Sequence, residues 1–200
     1  MTEFLVGMDV GQKQDHTAIA VVQRVQCGTG YELRHVERVN LNTPVQQVVE
    51  RAEHLLRTPQ LWGRSTLALD ATGAGLPVVD LLKSRGICPV AITITSGKDA
   101  SQVGVSSYHV PKRELVRTLV TLLESGRLRC ALELPFGKEF IEELLAFQLR
   151  LNRRTGRASY ASGSGSVHDD LVLAVALACW YGEQSGGARE FNPAAALHLP

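Results

Sequence analysis

The chain has 200 residues, enough for one domain whose core needs no covalent staples. Its 21 basic and 20 acidic residues nearly cancel, so net charge alone selects neither a nucleic acid nor a membrane surface as partner. The four cysteines, Cys27, Cys88, Cys130 and Cys179, form no CxxC pair, which argues against zinc and against a disulfide framework and leaves reduced, buried thiols as the expectation.

The amino terminus lacks the basic-then-apolar layout of a signal peptide, and residues 171–180 reach about half the length of a membrane span. A soluble cytoplasmic chain without a membrane partner is expected. Residues 4–10 form an apolar run interrupted by Asp9, and a polar turn leads to a second β-rich run, residues 17–25. Short apolar runs bounded by glycine and polar residues predict buried strands joined by a hairpin. A second turn, at Gly28 and Gly30, opens residues 31–39, which completes an antiparallel meander. Thr43 and Pro44 predict an N-cap and a first-turn proline for a helix carrying Val45, Val48, Val49, Ala52, Leu55 and Leu56 at helical spacing.

Residues 66–70 predict a short buried strand ending in Asp70, followed by a tight small-residue turn and a helix to about Arg85. With residues 89–95 as the next strand, this spacing predicts a right-handed parallel crossover. Residues 96–107 read as a polar mobile loop. Pro111 opens a helix with Leu115, Val116, Leu119, Leu122 and Leu123 on one face. Residues 136–147 form another helix, expected to bury Phe140, Ile141, Leu144 and Leu145. Alternation from Phe147 to Leu151 and a glycine-containing turn predict a hairpin over residues 147–160, and the glycine–serine run 162–166 a flexible connector. The last helix, from Leu171 to about Tyr181, is apolar nearly all round and belongs in the core. Residues 1–184 are expected to form the domain and 185–200 a disordered tail. The predicted class is α/β, a mixed sheet of five or more strands with helices on both faces.

Three acidic sites fall at comparable places: Asp9 within the first strand, Asp70 ending the fourth, and Asp169-Asp170 opening the last helix. A meander, a helix and a parallel strand set the first and fourth strands side by side, which brings Asp9 and Asp70 together. Carboxylates gathered in this way raise one another's pKa, and divalent metal is the obvious reason for keeping them. Magnesium and manganese take hard oxygen ligands, and two such ions can clamp both oxygens of a phosphodiester displacement. Residues 148–167 carry four arginines, Arg150, Arg153, Arg154 and Arg157, and no acid, a pattern that favours a polyanion over a merely solvated surface. Lys112, near a helix start, is a further candidate for phosphate contact and otherwise faces solvent with Arg113.

Several motifs come in one order: Gly7-Met-Asp-Val-Gly11 with Asp15-His-Thr-Ala18, Leu69-Asp-Ala-Thr-Gly-Ala-Gly75, Val110-Pro-Lys112, and His168-Asp-Asp-Leu-Val172 with Ala174 and Ala178. Together they resemble the nuclease domain of phage terminase large subunits, over about residues 3–183. The resemblance implies a ribonuclease H-like fold and a metal-dependent endonuclease that cuts concatemeric viral DNA during genome packaging. It implies two Mg2+ or Mn2+ ions held by Asp9, Asp70, Asp169 and Asp170, with His168 near the metals as a further catalytic candidate. Its implied partners are double-stranded DNA, an ATPase motor, and the portal or small terminase subunit, in the cytoplasm of a host cell. Terminase motors carry a GxxxxGK[ST] phosphate loop, which this sequence lacks, so the motor is expected on a separate polypeptide or segment.

Plainer readings stand beside these. Asp15 and His16 suit a turn, His168 could cap a helix, and one of Asp169 and Asp170 could be only an N-cap. A junction resolvase of the same fold and a non-catalytic DNA-binding or motor-docking module are the rival functions. An actin-like ATPase would need a second phosphate motif that is missing.

Overall fold

The computed structural model describes residues 3–11, 15–25, 30–131, 133–152 and 168–187, with the side chains of 148–152 outside the description. The first seven residues described form β1 (Glu3–Asp9), buried at four consecutive positions from Leu5 to Met8. A strand apolar on both faces must be covered on both, and β1 accordingly lies inside an eight-stranded sheet. β2 (Ala18–Arg24) and β3 (Tyr31–Arg38) continue as the expected antiparallel meander. After α1 (Val45–Leu56), β4 (Ser65–Asp70) returns on the other side of β1 and runs parallel to it. The crossover through α2 (Gly75–Ser84) then places β5 (Val90–Thr95) parallel to β4.

β6 (Ser101–Gly104) and β7 (Ser107–Pro111) make an antiparallel pair, with β7 parallel to β5. The expected loop over residues 96–107 is therefore corrected: part of it extends the sheet. Its polarity is that of an edge, since all four residues of β6 are exposed. At the opposite edge, the three-residue β8 (Leu128–Cys130) pairs parallel with β3. Between them runs α3 (Lys112–Glu124), and α4 (Gly137–Asn152) and α5 (Asp170–Gly187) complete the fold.

Two apolar layers flank the sheet. Val6, Met8, Ile19, Val21, Leu67 and Leu69 pack under α1 and α2, through Val49, Ala52, Val78 and Leu82. Leu5, Ala20, Val36 and Ala68 face the other way, against α5 and the buried sides of α3 and α4. α5 is buried from Asp170 to Trp180, as its all-round apolarity requires. It ends at Gly187, past the expected boundary at Tyr181.

Several local expectations are corrected. Pro44 is the N-cap of α1, and the Thr43 hydroxyl donates backward to the Asn40 carbonyl (2.7 Å) rather than accepting from the helix. α4 runs through Asn152, so the first arm of the expected hairpin is helical; residues 153–160 lie outside the description. Ile141 and Leu145 are exposed at 40% and 54%, while Phe140 and Leu144 are buried. Cys179 is buried, but Cys88 is exposed and Cys130 half-buried; Cys27 is outside the description. Among the described residues no helix is long and apolar enough to cross a membrane.

α5 touches β1 backbone to backbone. A Cβ placed on Gly7 would sit 1.9 Å from the Ala174 carbonyl oxygen and 2.9 Å from the Ala178 nitrogen. Neither backbone atom can rotate away, so only glycine lets the helix seat so close to β1. Gly7→Ala is expected to destabilise the fold by roughly 1–3 kcal/mol or more, the scale of core overpacking. Urea unfolding measures this, and a loss near zero would mean that α5 does not rest on Gly7.

Candidate active site

The sheet register carries one row of polar side chains to the mouth of the α5 layer. Met8 pairs with Leu69, so Asp9 and Asp70 follow side by side at the carboxyl ends of parallel β1 and β4. Asp9 pairs in turn with Ala18, and Ala18 with Arg38. Side chains alternate along a strand, which puts Asp9, Arg38 and Asp70 on the same face as Leu5, Val36 and Ala68. That is the face α5 covers. Its first turn begins at Asp170, with His168 and Asp169 just before it.

Burial pushes the Asp9 carboxyl well above its ordinary value of 3.8, and the carboxylates of Asp70, Asp169 and Asp170 push it further. Asp70 is also raised, chiefly by burial, although its contacts with Thr72 and a hydrogen bond from Asp9 pull the other way. Burial therefore acts on both carboxyls in the same direction, toward the neutral form. Asp70 Oδ1 accepts the Thr72 N–H at 2.8 Å, while a Cβ on Gly75 would lie 1.7 Å from the Asp70 carbonyl oxygen. The tight small-residue turn therefore holds Asp70 from both sides.

Cations answer the other two acids. Lys112 Nζ donates to Asp169 Oδ2 at 2.6 Å. Arg38 donates through Nε to Asp170 Oδ2 at 2.7 Å and through Nη2 to Glu143. His168 Nδ1 lies 3.8 Å from Asp170 Oδ1, and its ring meets His16 edge-on with centroids 5.4 Å apart. His16 Nδ1 stands 2.9 Å from the Val39 carbonyl oxygen, which can only accept, so Nδ1 donates there.

Asp9, Asp70, Asp169 and Asp170 thus converge, with His168 beside them. Lys112, expected to face solvent or phosphate, is paired with Asp169. Arg153, Arg154, Arg157 and the side chain of Arg150 lie outside the described residues. Arg38 and Glu143 were not anticipated. Arg38 shares strand parity with Val36, a signal that could have placed it; Glu143 is one of three acids in residues 139–143, with nothing local to mark it as buried.

Among the described residues no three His, Cys, Asp or Glu side chains already stand in metal-holding geometry. The donor chemistry nevertheless fits a hard divalent cation. All four aspartates offer oxygen, and their mutual repulsion at Asp9 is the field such a cation would neutralise.

No protein-family model matches the sequence, and no curated protein does. Solved structures do match in fold, which is ribonuclease H-like. The large terminase nuclease of thermophilic phage G20c superposes with a TM-score of 0.59 at 21% identity, covering 88% of this chain and 81% of that one. The human cytomegalovirus terminase nuclease domain, solved after a manganese soak with an inhibitor bound, gives 0.58 at 16% identity over 94% and 86% of the two chains. The large terminase of another thermophilic bacteriophage gives 0.61 at 12% identity over 88% of this chain, which spans only 39% of that protein. The G20c nuclease has also been solved with bound zinc.

The raised carboxyls set a pH dependence. Burial and the neighbouring Asp170 carboxylate push Glu143 up to about 8, so with Asp9 and Asp70 the folded state holds protons that the unfolded chain has released. Stability from such groups is complete below the ordinary carboxylate range and is lost as pH rises toward their folded values. Glu37, lowered to about 2 by contacts with His35 and Arg51 that outweigh its burial, acts in the opposite sense only below its ordinary 4.5. Metal-free protein in a chelator is expected to melt lower at about pH 8 than at about pH 5. A higher melting temperature at the alkaline end would contradict the raised carboxyls.

Proposed function

We propose that this chain is a divalent-metal-dependent endodeoxyribonuclease that cuts double-stranded DNA in a terminase-type genome-packaging reaction. The observation that carries the reading is the adjacency of Asp9 and Asp70 on parallel β1 and β4, facing Asp169 and Asp170 at the start of α5. The same fold in three viral terminases supports it, as does the manganese soak of one of them. Asp9, Asp70, Asp169 and Asp170 would hold two Mg2+ or Mn2+ ions, which would activate a water and stabilise charge on the phosphate.

The protein's own groups then have separate tasks. Asp70 is fixed by Thr72 and Gly75, and Asp9 by its place inside the sheet. Asp169, with its side chain 31% exposed against 5% for Asp170, must exchange Lys112 for a metal. Released Lys112 would be available to phosphate. His168, beside Asp170, and His16, packed against the His168 ring, are candidates for moving a proton at the leaving oxygen. Arg150, Arg153, Arg154 and Arg157 would follow the DNA backbone, and an ATPase motor, portal or small terminase subunit would supply translocation and regulation.

Asp70→Asn tests the chemistry, because asparagine keeps the Oδ1 acceptor for Thr72 and removes one charge. Cleavage of plasmid with manganese is expected to fall more than about 100-fold, beyond the loss typical of an outer partner. Metal-free stability should rise by about 1 kcal/mol, the scale of a one-unit pKa shift. Manganese should then stabilise the parent more than the variant. A variant that still nicks plasmid and melts lower with and without metal would end the nuclease reading.

Replacing Arg150, Arg153, Arg154 and Arg157 with alanine tests their hold on the DNA backbone. Binding to unrelated duplexes should weaken alike, and the salt slope should flatten by ~0.9 for each phosphate no longer neutralised. An unchanged slope would remove these arginines from the DNA interface.

A further inference from the structure

Glu143 is a buried acid that the chemistry above does not use. Its side chain is 7% exposed, and its oxygens are already engaged. Oε2 accepts the backbone N–H groups of Leu171 (3.1 Å) and Val172 (3.3 Å), and Oε1 accepts from Arg38 Nη2. The first N–H groups of a helix have no partner within it, and an N-cap side chain normally supplies one. Here α4 supplies it from outside. Neither Asp169 nor Asp170 is needed as the side-chain cap for these two groups, so their carboxylates remain available to a ligand.

Arg38 completes the arrangement. Its guanidinium bridges two acids from two helices, Glu143 on α4 and Asp170 on α5. The Nε–Oδ2 bond holds one oxygen of Asp170 at 2.7 Å and leaves Oδ1 turned toward His168 Nδ1 at 3.8 Å. Arg38 sits at the end of β3, in the same cross-sheet row as Asp9. The bridge therefore ties the first turn of α5 to the strands that carry the other carboxylates.

We propose that Arg38 and Glu143 are a positioning pair that fixes Asp170 and the first turn of α5 against Asp9 and Asp70. This rests on the metal-dependent nuclease reading and adds to it a division of labour. Asp170 is the fixed acid, 4% exposed and anchored by Arg38. Asp169 is the adjustable one. The planar fork of arginine is needed, because a lysine ammonium is a single point charge and does not present two donors along fixed directions.

The test is Mn2+ binding to the chelator-stripped protein by titration calorimetry, with melting curves alongside, for the parent, Arg38→Lys, Glu143→Gln and Asp70→Asn. Outer partners of metal ligands typically contribute 10- to 100-fold in affinity, and a loss of about that size is expected for Arg38→Lys and Glu143→Gln. Affinities within about 2-fold of the parent in both variants, with lowered melting alone, would show that the pair only caps a helix and would overturn the proposal. Should Glu143→Gln fail to fold, Arg38→Lys decides, because it leaves the Glu143 contacts to Leu171 and Val172 in place. Parent binding that Asp70→Asn abolishes keeps the nuclease reading intact, whatever the pair does. A parent that takes up no Mn2+ overturns the reading and the pair together.

Discussion

A carboxylate on an inner strand is the constraint on which the rest of this structure depends. Asp9 lies in the sheet beside Asp70, and burial and like charge act on it in the same direction. Either influence alone favours protonation, and together they make the ionised pair costly without a cation. The two sides of the sheet divide the work accordingly. The α1 and α2 side is closed by aliphatic side chains, whereas the α5 side is apolar along its length and charged at one end.

The charged end stays organised because its neighbours are rigid. Gly7 allows α5 to seat on β1 at backbone distance, so the helix start cannot drift from Asp9 without disturbing the core. Lys112, from the start of α3, and Arg38, from the end of β3, then meet Asp169 and Asp170. Four elements, β1, β4, β3 and α5, together with the first residue of α3, converge on one small volume. The raised carboxyls of Asp9, Asp70 and Glu143 are where burial at this end of the sheet costs stability.

Much of this was legible in the sequence because it depends on short-range periodicity. An apolar run broken by one acid, a meander and one crossover were enough to place Asp9 next to Asp70. The uniformly apolar last helix likewise announced its burial. The failures share a cause. Phe147, Leu149 and Leu151 alternate like a strand, yet Phe140, Leu144, Phe147 and Leu151 also recur at helical spacing, and the helix prevails at least to Asn152. Ile141 and Leu145 look like core residues by composition but fall on the side of α4 turned outward. β6 and β7 are too short and polar to show a pattern of their own, since β7 takes its place from pairing with β5 and β6 from pairing with β7. Glu143 is the clearest case: its burial follows only from the approach of α5 and Arg38, contacts far apart in sequence.

The proposed chemistry requires metal at the four aspartates. The most direct measurement is anomalous diffraction from crystals of the protein soaked in manganese. Two peaks are expected between Asp9, Asp70, Asp169 and Asp170, about 3.5–4 Å apart as in two-ion phosphoryl-transfer sites. Lys112 should be turned away from Asp169 when they are filled. Manganese bound elsewhere on the surface, with no peak at these carboxylates and the Lys112–Asp169 pair intact, would contradict the claim.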